Sequence, residues 1–287
     1  MERAYKQECW LVFGLTGMVG EGMRAGLLPG DPPLLGVSRH PPPPAGGLRW
    51  IAGELPGQVP APPTTAIASL GPLDAFAAWF ESSGAAPERV VALGSTSVHG
   101  KAGSPDPAER ALVECLRGAE QRLAAACAAR GSALTLLRPT LVWGRGRDRN
   151  LSRLVSLARR WRVLPLPRAA RGLRQPIHAD EVAAAVLAAL RAPRPVPGAF
   201  DLPGGETLPY DEMTARCLRA GAPGARLLRL PGPVFRAAMA LLGRRGPGAG
   251  VLARLDRDLA YDPAPVQAAL GWRPGPFRPA SGDFAEP

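Results

Sequence analysis

Cys9-Trp10-Leu11-Val12-Phe13-Gly14-Leu15-Thr16-Gly17-Met18-Val19-Gly20 (residues 9–20) runs from five apolar residues into a glycine-spaced turn. Cys9–Phe13 reads as a buried strand, and an apolar-spaced helix follows to about Leu27. GxxGxxG between a strand and a helix suits a dinucleotide. Gly14 permits the tight turn, Gly17 lets backbone approach a pyrophosphate, and Gly20 lets helix and strand pack closely. The helix N-terminus adds unpaired N–H groups for the anion. An ordinary strand–helix turn is the alternative.

The end of the second strand is the next informative place, because NAD-preferring proteins carry an acid there for the ribose hydroxyls. Val37-Ser38-Arg39-His40 offers none. Arg39 can pair bidentately with a 2′-phosphate while Ser38 donates a hydrogen bond, which points to NADP, with NAD also acceptable. A plain surface arginine is the competing reading in a chain this rich in arginine.

Outward from this turn the pattern stays strand, turn, helix. Leu34–Ser38, Leu48–Ala52, Thr65–Leu70, Arg89–Gly94 and Ala133–Arg138 read as strands, and Leu73–Ser83 and Ala108–Arg130 as helices. The proline-rich links HPPPPAGG and ELPGQVPAPPTT leave no room for crossover helices of normal length. The alternation predicts an α/β fold with a Rossmann-type, doubly wound parallel sheet. Past Trp143 the pattern loosens. Leu151–Arg162, Asp180–Arg191, Tyr210–Ala220, Pro233–Leu242 and Pro263–Leu270 look helical, with short strands at Ala199–Leu202 and Arg226–Leu230. The expected division is a dinucleotide-binding core over residues 1–143, joined by elements of 174–202, and a small substrate lobe over most of 144–287.

Composition excludes several classes. With 287 residues and 46% apolar content the chain can build a full core. It has no apolar run long enough to span a bilayer and no signal-peptide layout, so a cytoplasmic protein without membrane contact is expected. Cys9, Cys115, Cys127 and Cys217 lack metal or redox spacing, and His40, His99 and His178 are dispersed, so no metal is expected. The net charge of +11 raises nucleic acid as a partner. The excess is arginine spread along the chain, with Lys6 and Lys101 the only lysines and no basic tail. A solvated surface and a small-molecule partner are therefore expected, and a homodimer is compatible with the chain.

Further segments, in order, carry a family resemblance. FGLTGMVG, Gly53-Glu54-Leu55, VVALGSTSVHG, LLRPTLVWGRGRDRN, PIHADEVAAAVLAAL, DLPGGETLPYDEM and LDRDLAYDPAPVQAALGWRP together resemble the extended short-chain dehydrogenase/reductases, the NAD-dependent epimerase/dehydratase superfamily. The likeness implies a nicotinamide-dependent oxidoreductase or epimerase, acting on a nucleotide sugar or a similar carbonyl or hydroxyl compound. It implies cofactor contacts from Gly14, Thr16, Gly17, Met18, Val19, Gly20, Ser38, Arg39, Glu54, Ser69 and Leu70, and a catalytic serine at Ser95.

The chain departs from that pattern where the proton is handled. The family uses a Tyr-x-x-x-Lys pair whose lysine lowers the tyrosine pKa. Anchored on Ala119-Glu120, those slots hold Leu112 and Leu116, and none of Tyr5, Tyr210 and Tyr261 has a lysine four residues on. His99, in the tyrosine position of V-Y-G, and Lys101 are the replacements nearest Ser95; an aromatic-like packing role is the plainer reading of His99. Arg138, Arg145, Arg147 and Arg174 could hold a diphosphate or carboxylate, although Arg138 and His178 read more simply as structural. Loss of the pair leaves a second expectation: a degenerate NADP(H)-binding sensor or partner-supporting protein.

Overall fold

The computed structural model describes residues 9–44, 47–148, 150–242 and 254–284. In chain order the strands are β1 (Trp10–Phe13), β2 (Leu34–Ser38), β3 (Arg49–Ala52), β4 (Ala66–Ser69), β5 (Arg89–Leu93), β6 (Ala133–Pro139), β7 (Val142–Trp143), β8 (Val163–Pro167), β9 (Leu173–Arg174), β10 (Ile177–His178), β11 (Gly198–Leu202), β12 (Leu208–Pro209) and β13 (Arg226–Leu230). The helices are α1 (Met18–Ala25), α2 (Leu73–Ser83), α3 (Ser97–Gly100), α4 (Pro107–Ala129), α5 (Leu151–Trp161), α6 (Ala179–Arg191), α7 (Tyr210–Gly221), α8 (Gly232–Leu242) and α9 (Ala264–Leu270).

Seven strands form one parallel sheet in the order β11-β6-β5-β4-β1-β2-β3. The chain winds outward from β1 to β3, then returns to β4 on the other side of β1. Between β1 and β4 the strand order therefore reverses, which in open α/β sheets opens a crevice at the C-terminal strand ends.

Period-two alternation sends the strand residues to two cores. Trp10 and Val12 pack with α1 and α6, while Leu11 and Phe13 face α2 and α4. On the second face Phe13 meets Trp79 with ring centroids 4.5 Å apart and Phe76 at 5.5 Å, and the indole N–H of Trp79 donates to the Val59 carbonyl at 2.9 Å. Burial of each such ring contributes about 1.5–3 kcal/mol. A third core, including Trp143, Val155, Met213, Cys217 and Phe277, lies under α5 and α7.

Among the described residues the proline-rich links after β2 and β3 contain no helix. Five strands, β7, β8, β9, β10 and β12, escape a sequence reading, and all but β8 are two residues long. Val163–Pro167 holds two prolines, which argue against a central strand, yet it pairs in parallel with β13 in a two-stranded sheet. Edge strands tolerate proline because one side needs no N–H donors.

Close packing at the first turn fixes α1. A Cβ on Gly20 would lie 2.4 Å from the Gly14 carbonyl oxygen and from the Leu15 Cα. Gly118, inside α4, has nothing within 4 Å of the same position. Gly20→Ala should therefore cost about 1–3 kcal/mol or more through backbone displacement. Gly118→Ala should stabilise by about 0.5–1 kcal/mol through helix propensity. Denaturant midpoints of the two variants check the opposite signs.

Candidate functional site

The glycine turn sits at the crevice between β1 and β4. Gly14 has φ +86°, in the left-handed region, and its carbonyl accepts from Gly17 N–H at 3.0 Å. Gly17 is the N-cap of α1 in an extended conformation, and no side chain caps the helix. The first-turn amides are thus left for another acceptor, as an anion site requires. A Cβ on Gly17 would meet only the Gly14 oxygen, at 3.2 Å. Gly20 and Val19 (7% exposed) belong to the packing of α1, whereas Met18 reaches a cavity described below. Thr16 offers its carbonyl to Arg147 at 2.8 Å, and Arg147 also meets Glu21 at 2.6 Å. Arg145, with φ +55°, holds Asp180 at 2.6 Å. Two arginines from the loop after β7 thus stand beside the N-terminus of α1.

Next to this turn, Arg39 at the end of β2 makes an ion pair with Glu54 at 3.3 Å, with side chains 68% and 63% exposed. The Ser38 hydroxyl turns back on its own loop, 3.1 Å from the His40 carbonyl and 3.3 Å from the His40 N–H. Ser69, which ends β4, is 1% exposed and its hydroxyl has no hydrogen-bond partner; Leu70 donates its N–H to the Phe13 carbonyl at 2.9 Å.

Past β5 the chain turns into α3. The Ser95 hydroxyl lies 3.0 Å from that of Ser97 and accepts the Ser97 N–H at 3.1 Å. The next helical turn carries His99 to the side facing β11. Its Nε2 is 3.1 Å from the Asp201 carboxylate, its ring packs 5.7 Å from Tyr261, and it does not line the cavity. Lys101 does line it, 3.9 Å from Glu109. Leu112 is exposed on α4, and Leu116 packs on the core beneath α2. Arg138 is held by Glu120 in a bidentate pair at 2.8 and 2.6 Å, and this pairing raises its pKa. That engagement leaves it a strut between β6 and α4.

A cavity of about 740 Å³ opens between the sheet edge and the elements after β7. Met18, Ser95, Ser97 and Lys101 line it on the sheet side, with Tyr210 and Tyr261 across from the other elements. The Tyr261 hydroxyl donates to the Thr96 carbonyl at 3.4 Å, and burial, the largest influence, pushes its pKa up. Arg174 lies over the Tyr210 ring at 5.3 Å, and desolvation lowers its pKa. Arg254 joins the lining through a pair with Glu109, whose carboxyl is held below its usual range first by that arginine. Sequence reasoning passed over Tyr261 because it lacks a following lysine, and nothing in the local sequence marks Arg254. His178 accepts the Asp180 N–H in a capping box at the start of α6, with Nε2 buried against Gly144. Among the described residues no group of three or more His, Cys, Asp or Glu side chains could hold a metal, and no helix is long and apolar enough to cross a membrane.

No protein-family model and no curated protein sequence matches the chain. Solved structures do. MoeE5, in complex with UDP-glucuronic acid and NAD, is 22% identical with a TM-score of 0.71, the match covering 93% of this chain and 94% of that one. UDP-glucuronic acid 4-epimerase from Bacillus cereus, in complex with NAD, is 14% identical with a TM-score of 0.68 over 96% and 95% of the chains. TunA, an NAD-dependent NDP-hexosamine 5,6-dehydratase, is 17% identical with a TM-score of 0.64 over 94% and 93%. The chain shares the fold of these three structures.

The geometry of the turn separates binding from folding. Gly17→Val adds a branched side chain where only one protein oxygen is near, so the fold should survive. The same branch covers the uncapped amides, so dinucleotide affinity should fall by at least about tenfold. Circular dichroism paired with calorimetric titration of the variant tests this. A folded variant with unchanged affinity would make the turn merely structural.

Proposed function

We propose that the chain is a nicotinamide-dinucleotide-dependent oxidoreductase or epimerase acting on a small hydroxyl or carbonyl compound. One observation carries the reading: the uncapped start of α1 and the Ser95 exit of β5 open on the same edge of one parallel sheet, and Met18 and Ser95 line one cavity. The neighbours crystallised with NAD support the same cofactor class.

The residues fit that cofactor. The α1 amides and Gly17 would hold the pyrophosphate, Arg147 would exchange its Thr16 carbonyl for a phosphate oxygen, and Arg39 with Glu54 would bracket the adenosine ribose. When bound, the nicotinamide would supply the hydride acceptor for a carbinol carbon or the hydride donor for a carbonyl. The hydroxyl proton must then move to or from a group of this chain. Ser95 is our choice for holding the reacting oxygen, because its hydroxyl is fixed by Ser97 at the sheet edge. Tyr261 is our choice of proton donor in place of His99, since its phenol lines the cavity and burial keeps it protonated. Lys101 contributes positive potential beside them.

A second reading, a catalytically silent dinucleotide sensor or partner-supporting protein, is favoured by one observation. Leu112 and Leu116 fill the usual tyrosine and lysine slots, and neither lines the cavity.

Cofactor choice follows from opposed charges. A contact from Arg39 to a 2′-phosphate contributes about 1.5–3 kcal/mol, and its exposed pair with Glu54 opposes this by about 0–1 kcal/mol. NADPH should bind about tenfold more tightly than NADH. Arg39→Ala should erase the ratio and Glu54→Gln should widen it. Tighter binding of NADH to the wild type in calorimetry would refute the NADP preference.

Single-turnover NADPH oxidation with ketones and keto-sugar nucleotides, across pH, tests the chemistry. With Tyr261 as donor the rate stays level through neutral pH, because only a phenol that is already protonated is required. Tyr261→Phe should lower it about a hundredfold or more, and Ser95→Ala should lower it too. A rate that vanishes in His99→Phe and survives in Tyr261→Phe would return the role to His99. Tight dinucleotide binding without turnover on any substrate would favour the sensor.

A further inference from the structure

The cavity wall facing away from the sheet edge is aliphatic and aromatic. Leu154, Leu157 and Trp161 of α5, Leu164 and Leu166 of β8, and Phe235 of α8 form it. The elements that bring these side chains together, α5, β8 and α8, lie outside the seven-stranded sheet. Such a surface gains free energy by covering apolar atoms and loses it by covering polar ones.

Among the described residues, four of the five cations that line the cavity are engaged. Arg254 is paired through both terminal nitrogens with Glu109, and Lys101 lies 3.9 Å from the same carboxylate. Arg147 is shared between Glu21 and the Thr16 carbonyl. Arg174, 7% exposed, donates to the backbone carbonyls of Leu173 and Arg257 at 2.7 Å and of Arg254 at 2.5 Å. Arg153, the fifth, is exposed on α5. Among the described residues the one carboxylate on the lining, Asp148, is spent on the start of α5, where it accepts the N–H groups of Asn150, Leu151 and Ser152. With Arg147 assigned to the dinucleotide's pyrophosphate, a nucleoside diphosphate sugar would find Arg153 alone without a partner among the described cations, would have to pull Arg174 or Arg254 from theirs, and would set its sugar hydroxyls against leucines. An uncharged apolar body requires neither change.

We infer that the cavity takes an uncharged, predominantly apolar alcohol or ketone of medium size, and not a nucleotide sugar. The volume of about 740 Å³ suits a single ligand of that kind. This rests on the dinucleotide-enzyme reading only in making that ligand the substrate. Its reactive oxygen would lie at the Ser95 and Tyr261 end, the polar part of the lining, and its carbon skeleton against α5 and β8.

The test uses the full chain and an uncharged fluorescent probe, N-phenyl-1-naphthylamine. The expected result is probe binding, displacement by 2-dodecanone, and no displacement by UDP or UDP-glucose. Leu154→Asp should weaken the probe and the ketone together by about tenfold or more. Leu157→Ser provides a milder change that should act in the same direction, and unchanged dinucleotide affinity in each variant shows that the fold is kept. Gly17→Val should keep probe binding while losing dinucleotide, so the two readings fail separately. Ketone binding without any dinucleotide binding would refute the enzyme reading alone. Displacement of the probe by UDP-glucose, failure of the probe and the ketone to bind, or full binding in both leucine variants would overturn the apolar-ligand proposal.

Discussion

Helix α1 comes so close to the turn after β1 that a single added carbon on Gly20 would lie 2.4 Å from the Gly14 carbonyl and the Leu15 backbone. This close approach sets where α1 begins. The Gly14 turn in the left-handed region and the extended Gly17 cap then bring the first-turn amides to the reversal of strand order between β1 and β4. The apolar pairs on the buried face of α1, Val19 and Met23 against α6, lock that orientation. Everything functional in the account follows from those free amides lying at the C-terminal edge of the sheet.

The same edge receives the exit of β5 and the returning chain. Ion pairs tie the two sides: Arg145 and Arg147 reach Glu21 beside the glycine turn, and Arg254 reaches Glu109 at the start of α4. Much of the arginine excess is thus used inside the fold. Arg138 braces Glu120, Arg191 holds Asp31 at 2.5 Å, and Arg216 meets both Glu206 and Glu212. These partnerships give a structural role to charge that composition alone would associate with nucleic acid.

The sheet strands and their order of appearance were legible because buried parallel strands are short apolar runs bounded by glycine and proline. The glycine turn was legible because its spacing has a steric cause. Val163–Pro167 was not, since its two prolines hide an edge strand that needs few donors. The cavity was legible only in part. Ser95 follows from its place after β5, whereas Tyr261 and Arg254 arrive from a segment more than a hundred residues later in sequence, and only the fold brings them to that wall. His99 shows the converse. Its nearness to Ser95 in sequence suggested a shared site, but the turn of α3 sends it to Asp201 instead.

Amide hydrogen exchange of the full chain, with and without saturating dinucleotide, tests the central claim most directly. Protection is expected at the glycine turn and the start of α1, residues 14–21, and at the ends of β2 and β4 around residues 38–40 and 69–71. Unchanged exchange in those segments, at concentrations that saturate proteins of this fold, would contradict it.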